Sequence, residues 1–210
     1  MYPLTLPDET GSEKRYFVKL NWGRRRFWPR MTDIKTGQIF QSLPTREWHG
    51  LNRFEQIGLN VPERIALFRE GLLHFRDAVI VREVPPLYSV DEMLQNGEWE
   101  KLTLSQQSNL LAAIMDILRT IHLAGLGWRG SSSRHFYPQL DPDGCWKIWL
   151  IDCEGVHRSW SRKVILRDCD KLWRAMRESC ASHETLTELG ERIGEYTGKP
   201  FSRVASRRAA

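Results

Sequence analysis

Lys19, Glu47, His135 and Asp152 are the residues whose types and order invite a chemical reading. Lys19 lies within Tyr16-Phe17-Val18-Lys19-Leu20, a β-branched and aromatic run that reads as a strand, where an ammonium calls for a partner. Glu47 follows 28 residues later, inside a stretch that places Trp48, Leu51, Phe54 and Ile57 at helical spacing. His135 sits in the polar loop Trp128-Arg129-Gly130-Ser131-Ser132-Ser133-Arg134-His135-Phe136. Asp152 comes 17 residues later and closes the apolar run Trp146-Lys147-Ile148-Trp149-Leu150-Ile151; a buried acid there needs a metal ion or hydrogen-bond donors. Each has a plainer reading: an edge-strand lysine, a helix-surface glutamate, a loop histidine bonded to backbone, an aspartate capping a turn. Only their combination favours a site.

The elements that must position them follow from pattern. The first helix covers residues 45–57 and stops at Gly58; Ala78-Val79-Ile80-Val81 suits a short buried strand, and Pro85-Pro86 ends regular structure. Ser89-Val90-Asp91-Glu92 is a capping box. The clearest helix runs from about Ser105 to Leu123, with an apolar stripe of Leu110, Ile114, Ile117, Leu118 and Ile121 and Gly125 just beyond it. On this stripe His122 reads as a satisfied core histidine. Residues 168–180 and 183–197 read as further helices, and Trp48, Trp128, Trp149 and Trp173 as core. The order is strands with one helix, a double-proline break, then a mostly helical half, which gives a two-lobed α+β layout hinged at residues 83–86. The expected division is a reduced strand lobe over 1–86, a helical lobe over 87–198 and a basic, disordered tail over 199–210.

Composition bounds the function. At 210 residues, 41% hydrophobic and 27% charged, the chain is an ordinary globular one, with no apolar run long enough to span a bilayer. Met1-Tyr2-Pro3-Leu4 lacks a signal-peptide layout, and four cysteines without a Cys-x-x-Cys pair suit a reduced cytoplasmic protein. The net +5 is unevenly placed: residues 14–30 carry +7 and 199–210 carry +4, whereas 1–13 and 31–198 each carry −3. The two basic segments suit a local contact with phosphate or with a membrane surface. Trp22 and Trp28 flank Arg24-Arg25-Arg26, an aromatic–basic stretch that would also serve nucleic acid, but it belongs to no reading motif, so nucleic acid is not favoured. No cysteine–histidine spacing supports zinc.

Six short motifs in order resemble the lipopolysaccharide kinases of Gram-negative bacteria, the Kdo and heptose kinases, over roughly residues 14–178. They are Phe17-Val18-Lys19; Arg46-Glu47-Trp48 with Gly58-Leu59-Asn60-Val61-Pro62; Ile121-His122-Leu123-Ala124-Gly125; Arg134-His135-Phe136; Ile151-Asp152; and Arg167-Asp168-Cys169-Asp170-Lys171-Leu172. The resemblance implies a protein-kinase-like fold that uses ATP and Mg²⁺ to phosphorylate a lipopolysaccharide core sugar or its precursor. Under it, Lys19 holds the nucleotide phosphates and pairs with Glu47, Glu83 and Val84 form the hinge facing adenine, Asp152 and His135 bind magnesium, and Asp168 supports the catalytic loop from below.

Two departures stand out against that family. Gly130 occupies the position of the catalytic-loop aspartate that orients the acceptor hydroxyl and takes its proton, and glycine does neither. Residues 1–16, with a single Gly11, leave room for one hairpin at most where a phosphate-covering loop belongs. General-base help is worth roughly 10²–10⁴-fold, so the expectation is an impaired sugar kinase. The alternative is a pseudokinase acting as a binding or regulatory partner, and a small basic nucleic-acid-binding protein ranks third.

Overall fold

The computed structural model describes residues 2–7, 11–24, 41–70 and 74–199, with the side chains of 22–24 and 74–75 left aside. The stretch around Arg25, Arg26 and Trp28 and the tail from residue 200 lie outside the described residues.

Four strands make the first layer: β1 (Tyr2–Pro7), β2 (Glu13–Arg24), β3 (Arg64–Glu70) and β4 (His74–Arg82), all antiparallel, in the order β1-β2-β4-β3. Strand β1 carries Pro3 and Pro7, which an edge tolerates because a missing amide there breaks no ladder. Register sets which side chains face inward. Lys19 lies opposite Val79, and Phe17 opposite Val81; Val79 and Val81 are buried, so this face of β2 looks into the molecule.

Helix α1 (Leu43–Gln56) packs on that face, burying Glu47, Gly50, Leu51 and Phe54 along one stripe. Its N-terminus is fixed twice over. Ser42 accepts from the Thr45 amide, and the Ser42 and Thr45 hydroxyls both donate to the carboxylate of Asp77 on β4. Gly50 sets the depth of approach: a Cβ there would lie 1.9 Å from the carbonyl oxygen of Cys153, so only glycine lets the helix settle against the turn after Asp152.

The second layer is mostly helical: α2 (Val90–Asn96), α3 (Leu104–Leu123), α4 (Arg162–Glu178) and α5 (His183–Thr197). Ser89/Glu92 and Thr103/Gln106 form capping boxes at the starts of α2 and α3. Two small antiparallel ribbons carry the loops of interest: β5 (Leu126–Trp128) with β8 (Val156–Arg158), and β6 (Phe136–Leu140) with β7 (Trp146–Leu150). Trp128 is fully buried between Phe54 and Phe136, its ring centroid 5.5 and 5.2 Å from theirs. That aromatic chain joins α1 to the loop region.

Two expectations need correction, and one strand was not expected. The helix expected from residue 168 begins at Arg162, because Ser161 caps it and Val164 and Ile165 extend its apolar side. Strand β3 had no forecast, since Arg64, Arg69 and Glu70 mask its alternation at the sheet edge. Trp149 is not core: it is half-buried with the Lys147 ammonium 4.9 Å from its ring centroid, whereas Trp99, at 2% exposure, is core. Among the described residues no helix is long and apolar enough to cross a membrane.

Candidate active site

Strand β2, helix α1 and the turn after β7 converge on one ammonium group. Lys19 Nζ lies 2.7 Å from Asp152 Oδ1, 2.9 Å from Glu154 Oε2 and 3.3 Å from Glu47 Oε2. Glu47 turns its other oxygen to accept the Cys153 amide at 3.1 Å, which ties α1 to the turn. Burial would lower the Lys19 pKa, but the three carboxylates outweigh it and leave the ammonium held above its ordinary range. Burial also works to raise Asp152, yet the charge and hydrogen bond of Lys19 prevail and hold its carboxyl below the usual value. For Glu47 burial wins, and its pKa is raised.

Asp152 adopts a left-handed backbone conformation (φ 57°, ψ 55°), a geometry that aspartate tolerates better than most residues. The surroundings fix it: its carbonyl accepts from Trp128 Nε1 at 3.3 Å, and the next amide is held by Glu47. Asp152 Oδ2 lies 3.4 Å from His135 Nε2. His135 Nδ1 lies 2.6 Å from the Gly130 carbonyl, which can only accept, so Nδ1 carries the proton. Burial depresses the His135 pKa and favours the neutral ring. The neutral ring then turns a lone pair toward a carboxylate oxygen, and two acceptors facing one another fit a divalent cation between them. Glu47, Asp152 and Glu154 also place carboxylate oxygens within 4.8 Å of one another.

The loop from Trp128 to His135 rests on Asp168, which is fully buried on α4. Asp168 Oδ2 accepts the Trp128 amide at 2.8 Å, its carbonyl accepts Ser131 Oγ at 2.9 Å, and Arg167 closes on Oδ1 at 2.6 and 2.9 Å. His122 lies against the same carboxylate, 3.3 Å away, and meets the Tyr196 hydroxyl at 2.9 Å, so this histidine is indeed a satisfied core residue. One turn on from Asp168, Lys171 donates to the Arg129 carbonyl.

At Gly130 the structure adds something the sequence did not carry. A Cβ there would lie 2.3 Å from Trp128 Nε1 and 2.9 Å from the Asp152 carbonyl oxygen. The Trp128 indole fills the space that any side chain at this position would need. At the expected hinge, the Glu83 amide donates to the Arg15 carbonyl and the Glu83 carboxylate pairs with Arg15 at 2.9 Å, so that amide is already spent within the sheet. Val84 follows on the chain leaving β4. Two residues near the site had no forecast, Glu154 and Lys171. Their only sequence signals are an acid two positions after Asp152 and a lysine three positions after Asp168.

A small antiparallel sheet with one packed helix, set over a helical half whose loops supply His135 and Asp152, defines a protein-kinase-like architecture. The profile of the lipopolysaccharide kinase (Kdo/WaaP) family matches residues 13–190, and the chain belongs to that family. It is 23% identical over 162 residues to the lipopolysaccharide core heptose(I) kinase WaaP of Escherichia coli (strain K12), covering 74% of this chain and 59% of the relative, so the match spans about three-fifths of that protein's length. A solved structure of WaaP in complex with acyl carrier protein superposes with a TM-score of 0.66 at 15% identity, covering 99% of this chain and 78% of that one, which supports the shared fold.

Proposed function

We propose that this protein is a lipopolysaccharide-kinase-like, ATP-dependent phosphotransferase acting on a lipopolysaccharide core sugar, with impaired transfer. The observation that carries the reading is the convergence of Lys19, Glu47, Asp152 and His135 from four separate segments into one chain of contacts of 2.7–3.4 Å. In this reading Lys19 holds the nucleotide phosphates and Glu47 keeps it in place. Asp152 and His135 would hold Mg²⁺, which supplies charge neutralisation for the transferred phosphoryl group. Glu83 and Val84 border the adenine, although the Glu83 amide is bound to the Arg15 carbonyl. Asp168 positions the loop and touches no reacting atom. Residues 1–86 supply the nucleotide-facing lobe and 87–198 the loop-bearing lobe. The protein works in the cytoplasm, at the inner face of the membrane that carries its acceptor.

The crowding at Gly130 favours a second reading, a pseudokinase that holds nucleotide and acts as a partner protein. The two separate in sequence. The thermal midpoint should rise with Mg²⁺-ATP in the wild type and stay flat in Lys19→Met and Asp152→Ala, since a ligand that binds only the folded state stabilises it. A flat wild-type response would remove the nucleotide from both readings. Where the midpoint rises, single-turnover transfer from labelled ATP to purified lipopolysaccharide core decides: slow labelling supports the kinase, and none supports the pseudokinase.

A further inference from the structure

Three carboxylates share one ammonium, and they differ in depth. The Glu47 side chain is 6% exposed and lies deepest, whereas those of Asp152 and Glu154 are 34% and 31% exposed and reach solvent. Two of the three have other work. Glu47 also accepts the Cys153 amide, and Asp152 turns its second oxygen to His135. Glu154 spends its carboxylate on Lys19 at 2.9 Å. The turn that carries it is pinned from both sides: the Gly155 carbonyl accepts the Arg129 amide at 3.3 Å, and the Asp152 carbonyl accepts Trp128 Nε1 at 3.3 Å. Glu154 thus takes a donor of the Lys19 ammonium from a partly exposed position, and among the described residues no second partner competes for its carboxylate. Phosphate and carboxylate compete for the ammonium by the same charge-assisted hydrogen bonds.

We propose that Glu154 is a built-in competitor for nucleotide phosphate: its carboxylate covers the open side of the Lys19 ammonium, and a nucleotide binds only by displacing it. The inference rests on the reading of Lys19 as the phosphate-holding residue. It explains what three acids around one lysine accomplish. An ammonium has three N–H donors, and Glu47, Asp152 and Glu154 take all three, so a phosphate oxygen gains one only when Glu154 is drawn aside. Nucleotide affinity is thereby lowered through the phosphates, and the base and ribose contribute nothing to the effect.

The experiment compares wild type with Glu154→Gln, which keeps the shape and removes the charge, and Glu154→Asp, which keeps the charge but withdraws it by one methylene. Binding of ADP and of adenosine is measured by titration calorimetry in EDTA and again with Mg²⁺. Both variants should bind ADP on the order of tenfold more tightly than wild type in EDTA, with adenosine unchanged, as expected for loss of one charge-assisted contact. A gain in Glu154→Gln alone would be a plain charge effect and would overturn the proposal. Unchanged or weaker ADP binding in both variants, or an equal gain for adenosine, would overturn it as well. Failure of all three proteins to bind ADP even with Mg²⁺ would instead bring down the nucleotide-site reading, and the proposal with it.

Discussion

The two sides of the candidate site are built from different interactions. On the sheet side, three carboxylates gather on Lys19, more than one ammonium can neutralise. On the loop side, Gly130 carries no side chain, and the Trp128 indole fills the space beside it. Ser131, Ser132 and Ser133, all buried, complete a loop whose polar groups are directed inward: Ser131 bonds the Asp168 carbonyl and Ser133 bonds Asp91 at 3.0 Å. The loop is thus built for packing, and the sheet side for charge. The two halves draw on different interactions, charge on one side and packing on the other, so either can change without the other.

The largest effect should come from what holds the packed side. Asp168→Ala leaves the Trp128 amide without its acceptor, frees Arg167 and opens a cavity beneath the loop; we expect a loss of about 3 kcal/mol, or roughly 10 °C in thermal midpoint. A loss under about 1 kcal/mol would mean that the loop is held by packing alone. Next comes Gly130→Ala. The added methyl collides with an indole fixed between Phe54 and Phe136, so the substitution should cost about 1–3 kcal/mol. By the same geometry Gly130→Asp alone should destabilise the protein and restore no transfer. Improved stability or transfer in either variant, measured by thermal denaturation and single turnover, would show that Trp128 moves aside and that the contrast between the two sides is shallow.

Much of the sheet side was legible because each residue carried its own signal. Lys19 stood out in an apolar strand, Glu47 shared a helix stripe with Leu51 and Phe54, and Asp152 ended an apolar run. Burial turns each of these into a demand for a partner. Helix α3 was legible for the same reason, its stripe being long and regular. The rest depends on contacts between elements that no local pattern records. Gly50 reads as a helix glycine and nothing more until Cys153 is placed against it. Gly130 reads as a missing aspartate until Trp128 is seen in its space. Glu154 lies on a three-residue turn with no periodicity to mark its direction, and β1 and β3 are edge strands whose prolines and charges hide their alternation.

The smallest effect, and the one that bears most directly on the contrast, concerns two buried thiols. Cys153 sits on the sheet side of the cleft, and Cys169 sits beside Asp168 beneath the loop; neither is exposed, whereas Cys145 and Cys180 are. Burial raises both thiols, Cys153 well above its ordinary value with Glu47 and Asp152 adding to the effect, and Cys169 up to about 12 with Asp168 and Asp170 adding to it. A thiol-specific reagent at neutral pH should therefore take Cys145 and Cys180 at once. Cys153 and Cys169 should follow only as the structure opens, because the thiolate is the reactive form and both residues are shielded. The order of the slow pair is informative. Cys153 is buried, but on a three-residue turn whose flanking Asp152 and Glu154 are ion-paired and about a third exposed, whereas Cys169 lies inside α4 against the core, so Cys153 should label first, through local opening, and Cys169 only with global unfolding. ADP with Mg²⁺ should slow Cys153 several-fold and leave Cys169 nearly unchanged. Equal rates for the two, with or without nucleotide, would mean that charge and packing open together and that the cleft is one cooperative unit.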